Sequence, residues 1–394
     1  MNAGRRIAQL GLWLVVGGSG VACFTSTTSG SPTRDGGVIT GSSTGGSSTS
    51  GSSTGGSSTR GSSGSSTGGG STSGSSTSGS GGNSTSGGSG SGGDASCAVS
   101  GSPAAVQVWS DDLYVPQGLS LDENGHPFWA DHGAFGGAGN ARLATSASAG
   151  GSPTALTGNP PDNNCCGVVL VARGGNVTMA SVFGLFTVPT TGGTLAKTVP
   201  DGNLQDPTGL VYTSAGWVYS DQGGFVAGVA SMMPQPFYTG TVSSLVQYGG
   251  NLYFIGGTSI VTTTVTGADQ KTVATFGGTM LGLNADASGL AYYENNTRIV
   301  YRVTYAGVQT QLYVSPAGIA VTGLLTDGTN AYIAVDDLGN PGNGAILRVP
   351  ETGGCAETLA TGLADPQSLQ ATDTSVFWVN HGGSLAGSIN SISK

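Results

Sequence analysis

From residue 97 to the C-terminus, short apolar runs alternate with turns rich in Gly, Asn, Asp and Pro. No stretch holds a helical spacing of apolar residues, so the pattern predicts an all-β region built of short strands. The runs also repeat. Leu185-Phe186-Thr187-Val188-Pro189-Thr190-Thr191-Gly192-Gly193 matches Ile346-Leu347-Arg348-Val349-Pro350-Glu351-Thr352-Gly353-Gly354, and both lead into Thr/Leu/Ala-rich segments. A second anchor is a small residue followed by an apolar one: Gly118-Leu119, Gly167-Val168, Gly209-Leu210, Ser244-Leu245, Gly282-Leu283, Gly323-Leu324 and Ser368-Leu369. Successive anchors are 49, 42, 35, 38, 41 and 45 residues apart. Ten to twelve residues after each stands a large apolar residue: Trp129, Met179, Tyr219, Phe254, Tyr293, Ile333 and Trp378.

Each repeat therefore reads as four strands. The first starts at the anchor, the second ends at the large apolar position, the third closes on a Gly-Gly turn and the fourth is the Leu-Ala type run. Four-stranded repeats of this length are the mark of a β-propeller. Phe377-Trp378-Val379-Asn380 and Phe128-Trp129-Ala130-Asp131 carry a resemblance to propellers with YWTD-like or NHL-like repeats, extending over nearly all of residues 100–394. The last repeat has only three strands, Ser368–Ala371, Ser375–Asn380 and Ser388–Ser393. Val106–Ser110 aligns with the fourth-strand position of the repeat before it, so the N-terminal strand is expected to complete the last blade and hide two sheet edges. Seven blades are expected; six or eight remain open because the third and fourth repeats are short.

The N-terminal region is of another kind. Arg5 and Arg6 precede the largely apolar Ile7–Val16, too short to span a bilayer, and small residues follow, as in a secretory signal. Gly20-Val21-Ala22-Cys23 resembles the lipobox of bacterial lipoproteins, with Gly20 where that family usually has Leu. The resemblance implies lipidation at Cys23 of an exported protein held at the cell envelope, in the outer membrane or on the cell surface. Phe24, rather than an Asp that would resemble an inner-membrane retention signal, comes next. Cleavage after Ala22 without lipidation also fits the small residues there. From Thr40 to Gly93 the chain is Ser, Thr and Gly interrupted only by Arg60 and Asn83. With no apolar side chains to offset its ordering entropy, residues 24–96 are expected to be disordered. A coil of about 70 residues has a root-mean-square reach of roughly 45 Å, enough to lift a folded head off a membrane. The sequence thus divides into a signal (1–23), a linker (24–96) and a propeller (97–394). The linker accounts for much of the unusual composition, 73 Gly in 394 residues and only 8% charged residues.

Four further cysteines lie in the head. Cys355 falls in the turn between the third and fourth strands of the sixth repeat, and Cys97 just before the closing strand, which the topology puts on the same face of the ring. Cys165 and Cys166 precede the first strand of the second repeat, on the opposite face. An exported chain favours disulfides, and the expected bond is Cys97–Cys355, with Cys165 and Cys166 a vicinal pair or two thiols.

The formal net charge of −9 argues against nucleic acid as a partner, since phosphate contacts need clustered Lys and Arg. Loops after the second strands gather on one face and carry Asp131, His132, Asp221, Glu294, Asp336, Asn380 and His381. Two His with nearby carboxylates there could hold a divalent metal, and the oxygen-rich run from Asp336 to Gly344 could take calcium although it lacks EF-hand spacing. Turn capping by the same side chains is the plainer reading, and no cofactor is expected. No Gly-x-Ser-x-Gly elbow or phosphate-binding loop is present. The expectation is a monomeric surface binding module for a protein or glycan ligand, more binder than enzyme. Its alternatives are a hydrolase or lyase resembling the lactonase-type propellers, with a metal in the channel, and an envelope scaffold.

Overall fold

The computed structural model describes residues 104–394, apart from 132–141, 159–168, 182–183, 200–203, 205–206, 222–224, 231–232, 339, 341 and 383–386. Cys23, the linker, Cys97, His132, Cys165 and Cys166 fall outside the described residues.

The head is a ring of seven four-stranded antiparallel sheets, as the repeat spacing predicts. Blade 1 holds β2 (Pro116–Leu121), β3 (Pro127–Asp131), β4 (Arg142–Thr145) and β5 (Thr154–Gly158). Blade 2 holds β6 (Val169–Arg173), β7 (Asn176–Ser181), β8 (Gly184–Pro189) and β9 (Ala196–Val199). Blade 3 holds β10 (Pro207–Thr213), β11 (Gly216–Asp221), β12 (Phe225–Ala230) and β13 (Met233–Thr239). Blade 4 holds β14 (Val242–Tyr248), β15 (Asn251–Gly256), β16 (Ser259–Thr264) and β17 (Lys271–Thr275). Blade 5 holds β18 (Met280–Asp286), β19 (Gly289–Glu294), β20 (Ile299–Val303) and β21 (Gln309–Val314). Blade 6 holds β22 (Ile319–Thr326), β23 (Asn330–Asp337), β24 (Gly344–Pro350) and β25 (Glu357–Leu363). Blade 7 holds β26 (Pro366–Ala371), β27 (Ser375–Asn380) and β28 (Gly387–Ser393), and its fourth strand is the N-terminal β1 (Gln107–Leu113).

The closure predicted from the unfinished last repeat is therefore present, and β1 runs on to Leu113, three residues beyond the expected end. Gln107, Val108, Ser110 and Leu113 pair with Ser391, Asn390, Ile389 and Gly387. Trp109 donates from Nε1 to Ser391 Oγ at 2.9 Å and lies 5.4 Å from the ring of Phe377.

The core consists of seven clusters, one at each blade–blade interface. Strand alternation explains how one blade serves two of them. In β27, Val376 and Trp378 face blade 6, while Phe377 and Val379 face blade 1. Leu119, Leu210, Leu245, Leu283, Leu324 and Leu369 of the anchors are at most 1% exposed. All seven large apolar partners are buried too.

The anchors sit differently from the sequence expectation. In the six blades whose anchors are described, the first strands begin two to four residues earlier and each anchor lies at a bulge inside its strand; the blade 2 anchor, Gly167-Val168, lies outside the described residues. Gly118, Gly282 and Ser368 have φ of 58°, 57° and 52°, a left-handed conformation that explains the small residue. Second strands likewise run one to four residues past the large apolar position.

Beside the bulges, polar side chains tie neighbouring first strands together. Ser120 Oγ accepts from Ala172 N at 2.9 Å, and Ser244 Oγ from Leu283 N at 3.2 Å. Asn284 Oδ1 accepts from both Thr326 N and Oγ1, and Thr322 Oγ1 donates to the Pro366 carbonyl. These bonds bridge the inner edges, where adjacent blades splay from the ring axis and share no ladder.

Cys355 follows the turn after β24 and is disulfide-bonded, its partner outside the described residues.

Candidate functional site

First strands start, and second strands end, on what we term the upper face; turns between first and second strands, and between third and fourth, lie on the lower face. The register fixes which residues are equivalent at the upper mouth. Asp131 pairs with Pro116, Asp221 with Pro207, Glu294 with Met280, Asp336 with Ala320 and Asn380 with Pro366. Ser181 and Gly256 end the second strands of blades 2 and 4. Four of the residues predicted from sequence, Asp131, Asp221, Glu294 and Asn380, are thus one structural position seen in four blades; its blade 6 counterpart is Val335, paired with Val321 at the bulge, and Asp336 is the next residue, on the face of β23 that carries Tyr332 and Ala334 toward blade 7. His381 follows Asn380, and His132 lies outside the described residues.

The side chains at this position do different work in each blade. Asp131 accepts from Tyr114 N at 3.2 Å and lies 3.4 Å from Arg142 Nε, so it fastens the entry into β2. Glu294 Oε2 accepts from Thr297 Oγ1 at 2.9 Å and caps its own turn. Asn380 Oδ1 accepts from the indole N–H of Trp378 at 3.0 Å, and its amide donates to Ser388 Oγ. The equivalent indole in blade 1, Trp129, has Asp131 at the corresponding position in place of an amide, and its buried Nε1 has no hydrogen-bond partner among the described residues. Asp221 is fully buried; with burial the larger cause, its charge helps raise the Tyr219 hydroxyl far above the usual tyrosine range.

Asp336 stands apart. Its side chain is buried, and Oδ1 accepts no hydrogen bond among the described residues. Desolvation raises its carboxyl above the usual carboxylate range, and the charges of Asp365 and Asp337 push the same way, against a hydrogen bond from the Asp365 backbone. Asp365 lies in the loop from β25 to β26 with φ of 51°. Although its burial works the other way, hydrogen bonds from His381 and from Gln367 Nε2 (2.7 Å) lower its carboxyl below the usual value. His381 Nδ1 is 3.4 Å from Asp365 Oδ2. The sequence pattern missed Asp365 and Gln367 because Ala364-Asp365-Pro366 reads as an ordinary turn.

The structure joins His381 to Asp365 and sets Asp336 beside them, while Asp131 and Glu294 are engaged within their own blades. Among the described residues no three His, Cys, Asp or Glu side chains form a group that could hold a metal. In the run from Asp336 to Gly344, Asn340 donates from N to the Asp337 carbonyl at 2.9 Å and from Nδ2 to its carboxylate at 2.8 Å, so the loop closes on itself.

The fold has counterparts among solved structures. Virginiamycin B lyase from Staphylococcus aureus aligns with a TM-score of 0.58 at 13% identity, over 72% of this chain and 98% of that one. A streptogramin B lyase aligns with a TM-score of 0.59 at 16% identity, over 74% and 98%. An oligogalacturonate lyase in complex with manganese aligns with a TM-score of 0.53 at 13% identity, over 74% and 93%. The head has the fold of these β-propellers. The sequence matches no protein-family model and no curated protein.

A second polar cluster, on the lower face, had no sequence signature. Arg302 (β20) donates to both carboxylate oxygens of Asp286 at the end of β18, and to Ser288 Oγ. It also lies 3.1 Å from Glu351 Oε2, just beyond β24, so it bridges blades 5 and 6. Glu351 accepts from Ser288 Oγ at 2.7 Å and from Gly328 N at 3.1 Å. Burial, then the neighbouring Asp286, pushes Glu351 up to about 7. Asp286 is held below its usual value by hydrogen bonds from Glu351, Thr326 and Ser288 and by the Arg302 charge, which together outweigh its burial. Below about pH 7 one guanidinium, one carboxylate and one proton-bearing carboxyl make a neutral buried set.

Proposed function

We infer that this chain is an exported binding module, anchored through a lipid on Cys23, lifted by the linker over residues 24–96, with a protein or glycan ligand received on the upper face of the head. The observation that carries the reading is the upper mouth itself. Equivalent register positions of four blades bring Asp131, Asp221, Glu294 and Asn380 to one opening of a closed ring, with Asp336 one residue further along in blade 6. A rigid frame that gathers polar side chains of several blades at one opening is a platform for recognition. The anchoring half rests on the lipobox-like Gly20–Cys23 and the Ser/Gly-rich stretch, and the place of action on the outer membrane or cell surface follows from it.

Two measurements test this reading. Metabolic labelling with a fatty acid should mark the wild-type chain and not Cys23→Ala, and protease shaving of intact cells should release the head. A head protected in intact cells counts against surface display. A ligand captured by the head should be lost on multiple substitution of the upper-face carboxylates; capture unaffected by those changes counts against the upper face.

A second reading is favoured by the fold neighbours that are lyases, one of them in complex with manganese. In this reading His132 with Asp131 and Asp221 holds a divalent metal, calcium among the candidates, at the channel mouth of a hydrolase or lyase. Elemental analysis of the purified chain decides it: a stoichiometric metal lost in His132→Ala supports the reading, and a metal-free chain not stabilised by added manganese or calcium removes it.

For the cysteines, we infer that Cys97 is the partner of Cys355. Cys355 lies in a lower-face turn, and the chain enters β1 from that same face, whereas the segment ahead of β6 enters from the upper one. Non-reducing peptide mapping should recover a Cys97–Cys355 peptide; a link from Cys355 to Cys165 or Cys166 refutes it.

A further inference from the structure

The two faces of the head differ in charge. Among the described residues the upper face carries the four strand-end carboxylates with Asp111, Asp112, Asp337 and Asp365, against Arg142, Arg298 and the imidazole of His381. The lower face is closer to balance, six Lys and Arg against eight Asp and Glu among the described residues, with Arg302 paired to Asp286 and Glu351, Arg348 to Glu357, and Lys394 to Asp327 at 2.9 Å. Fields from like charges around one opening add, and the low-dielectric walls of a mouth strengthen them.

Charge alone would make only a counter-ion atmosphere. Asp336 adds a specific vacancy in the hydrogen bonding. It is 7% exposed, its Oδ1 has no donor among the described residues, and Asp365 and Asp337 are the carboxylates whose charges act on it. Asp365 is already served by Gln367 and His381. A buried carboxylate oxygen without a donor costs free energy that a donor restores, and a cationic donor restores most.

We propose that the upper mouth receives a lysine- or arginine-rich segment of a protein partner, with one cationic side chain donating to Asp336 between Asp337 and Asp365. The proposal rests on the binding-module reading and names the chemistry of its ligand. A long apolar stem ending in a cation suits an oxygen this deeply buried, whereas an amino sugar carries its ammonium directly on a bulky ring. Burial and the two neighbouring carboxylates disfavour the Asp336 anion, and a bound cation would offset both effects.

The test is a fluorescence-anisotropy titration of the full-length chain with labelled lysine and arginine peptides of about ten residues, at low and at physiological salt. The variants are Asp336→Asn, its double with Asp365→Asn, and a double of equal charge change on the lower face, Asp269→Asn with Asp373→Asn, both exposed in the parent. Thermal melts confirm that each is folded. The expected result is salt-sensitive binding weakened at least about tenfold by Asp336→Asn, further by the upper double, and within about twofold of wild type for the lower one. Absence of binding overturns the proposal, as does equal loss in the two doubles or binding of a glucosamine oligomer alone. A neutral ligand that binds and is lost in the upper double would overturn this inference while leaving the binding-module reading intact.

Discussion

Replacing Arg302 by Met tests the electrostatic account of the blade 5–blade 6 contact. The guanidinium is 6% exposed and is shared by Asp286, Ser288 and Glu351. Met fills much of its volume and supplies no donor, leaving two buried carboxyls facing each other. Removing one member of a buried ionic set costs about 3–5 kcal/mol, because the remaining charge is uncompensated. At about 2 °C per kcal/mol for a domain of this size, the melting temperature should fall by roughly 6–10 °C near pH 8. The sign of the pH dependence follows from the wild-type groups. Glu351 titrates at about 7 in the fold against 4.5 when unfolded, so the folded chain holds a proton that the unfolded one releases. Its contribution to stability therefore falls as pH rises through that window. Asp286 is lowered, so its contribution is present above the unfolded value of 3.8 and is lost as pH falls through the folded one. Without Arg302 both carboxyls hold protons more tightly, and the alkaline loss steepens by up to about 1.4 kcal/mol per pH unit for each extra proton retained. Thermal unfolding followed by circular dichroism from pH 4 to 9 reads both effects. A variant within about 1 kcal/mol of wild type, with an unchanged pH profile, would refute the reasoning.

Glu351→Gln keeps an acceptor for Gly328 N and removes the group that must ionise, so it should flatten the fall in stability between the unfolded value of 4.5 and the folded value of about 7, and leave the head more stable above that window by on the order of 2 kcal/mol, read in the same melts. Ser368 has φ of 52° where Gly118 and Gly282 have the same conformation, so Ser368→Gly should raise stability by up to about 1 kcal/mol; a drop in melting temperature would contradict the strain assigned to the bulge. A Cβ at Gly387 would lie 2.3 Å from Pro116 Cδ and 2.8 Å from the Leu113 carbonyl, both held by the ring closure, so Gly387→Ala should cost about 1–3 kcal/mol by overpacking. Trp109→Ala removes the contacts with Phe377 and Ser391 and should cost about 3 kcal/mol, with faster exchange of β28 amides measured by hydrogen–deuterium exchange; unchanged exchange would mean that β1 does not secure the closing blade.

Sequence alone determined the architecture because each blade solves the same local problem. Leu369 and Trp378, nine residues apart, recur in the manner of Leu119 and Trp129, ten apart, since every blade must fill two interfaces from alternate faces of its strands. The unfinished last repeat and the spare strand ahead of the first one made the closure legible, as an unpaired edge had only one partner available. The upper-face residues Asp131, Asp221, Glu294 and Asn380 were legible for the same reason, being a register position inherited by repetition, whereas Asp336 stands one residue beyond it in blade 6. What each does there was not legible. Asp131 meets Tyr114 and Arg142, Glu294 meets Thr297, and Asp336 meets no donor at Oδ1 among the described residues, because loops of differing length approach the upper mouth differently. The Asp286–Arg302–Glu351 set lay wholly outside the pattern. Its members are 16 and 49 residues apart in the chain and come together only because blades 5 and 6 pack side by side. Periodicity reports the contacts a blade makes with its own kind; the pairing of charges across an interface depends on which side chains the tertiary structure brings into a common low-dielectric space, and that is where the energetic and chemical individuality of this ring resides.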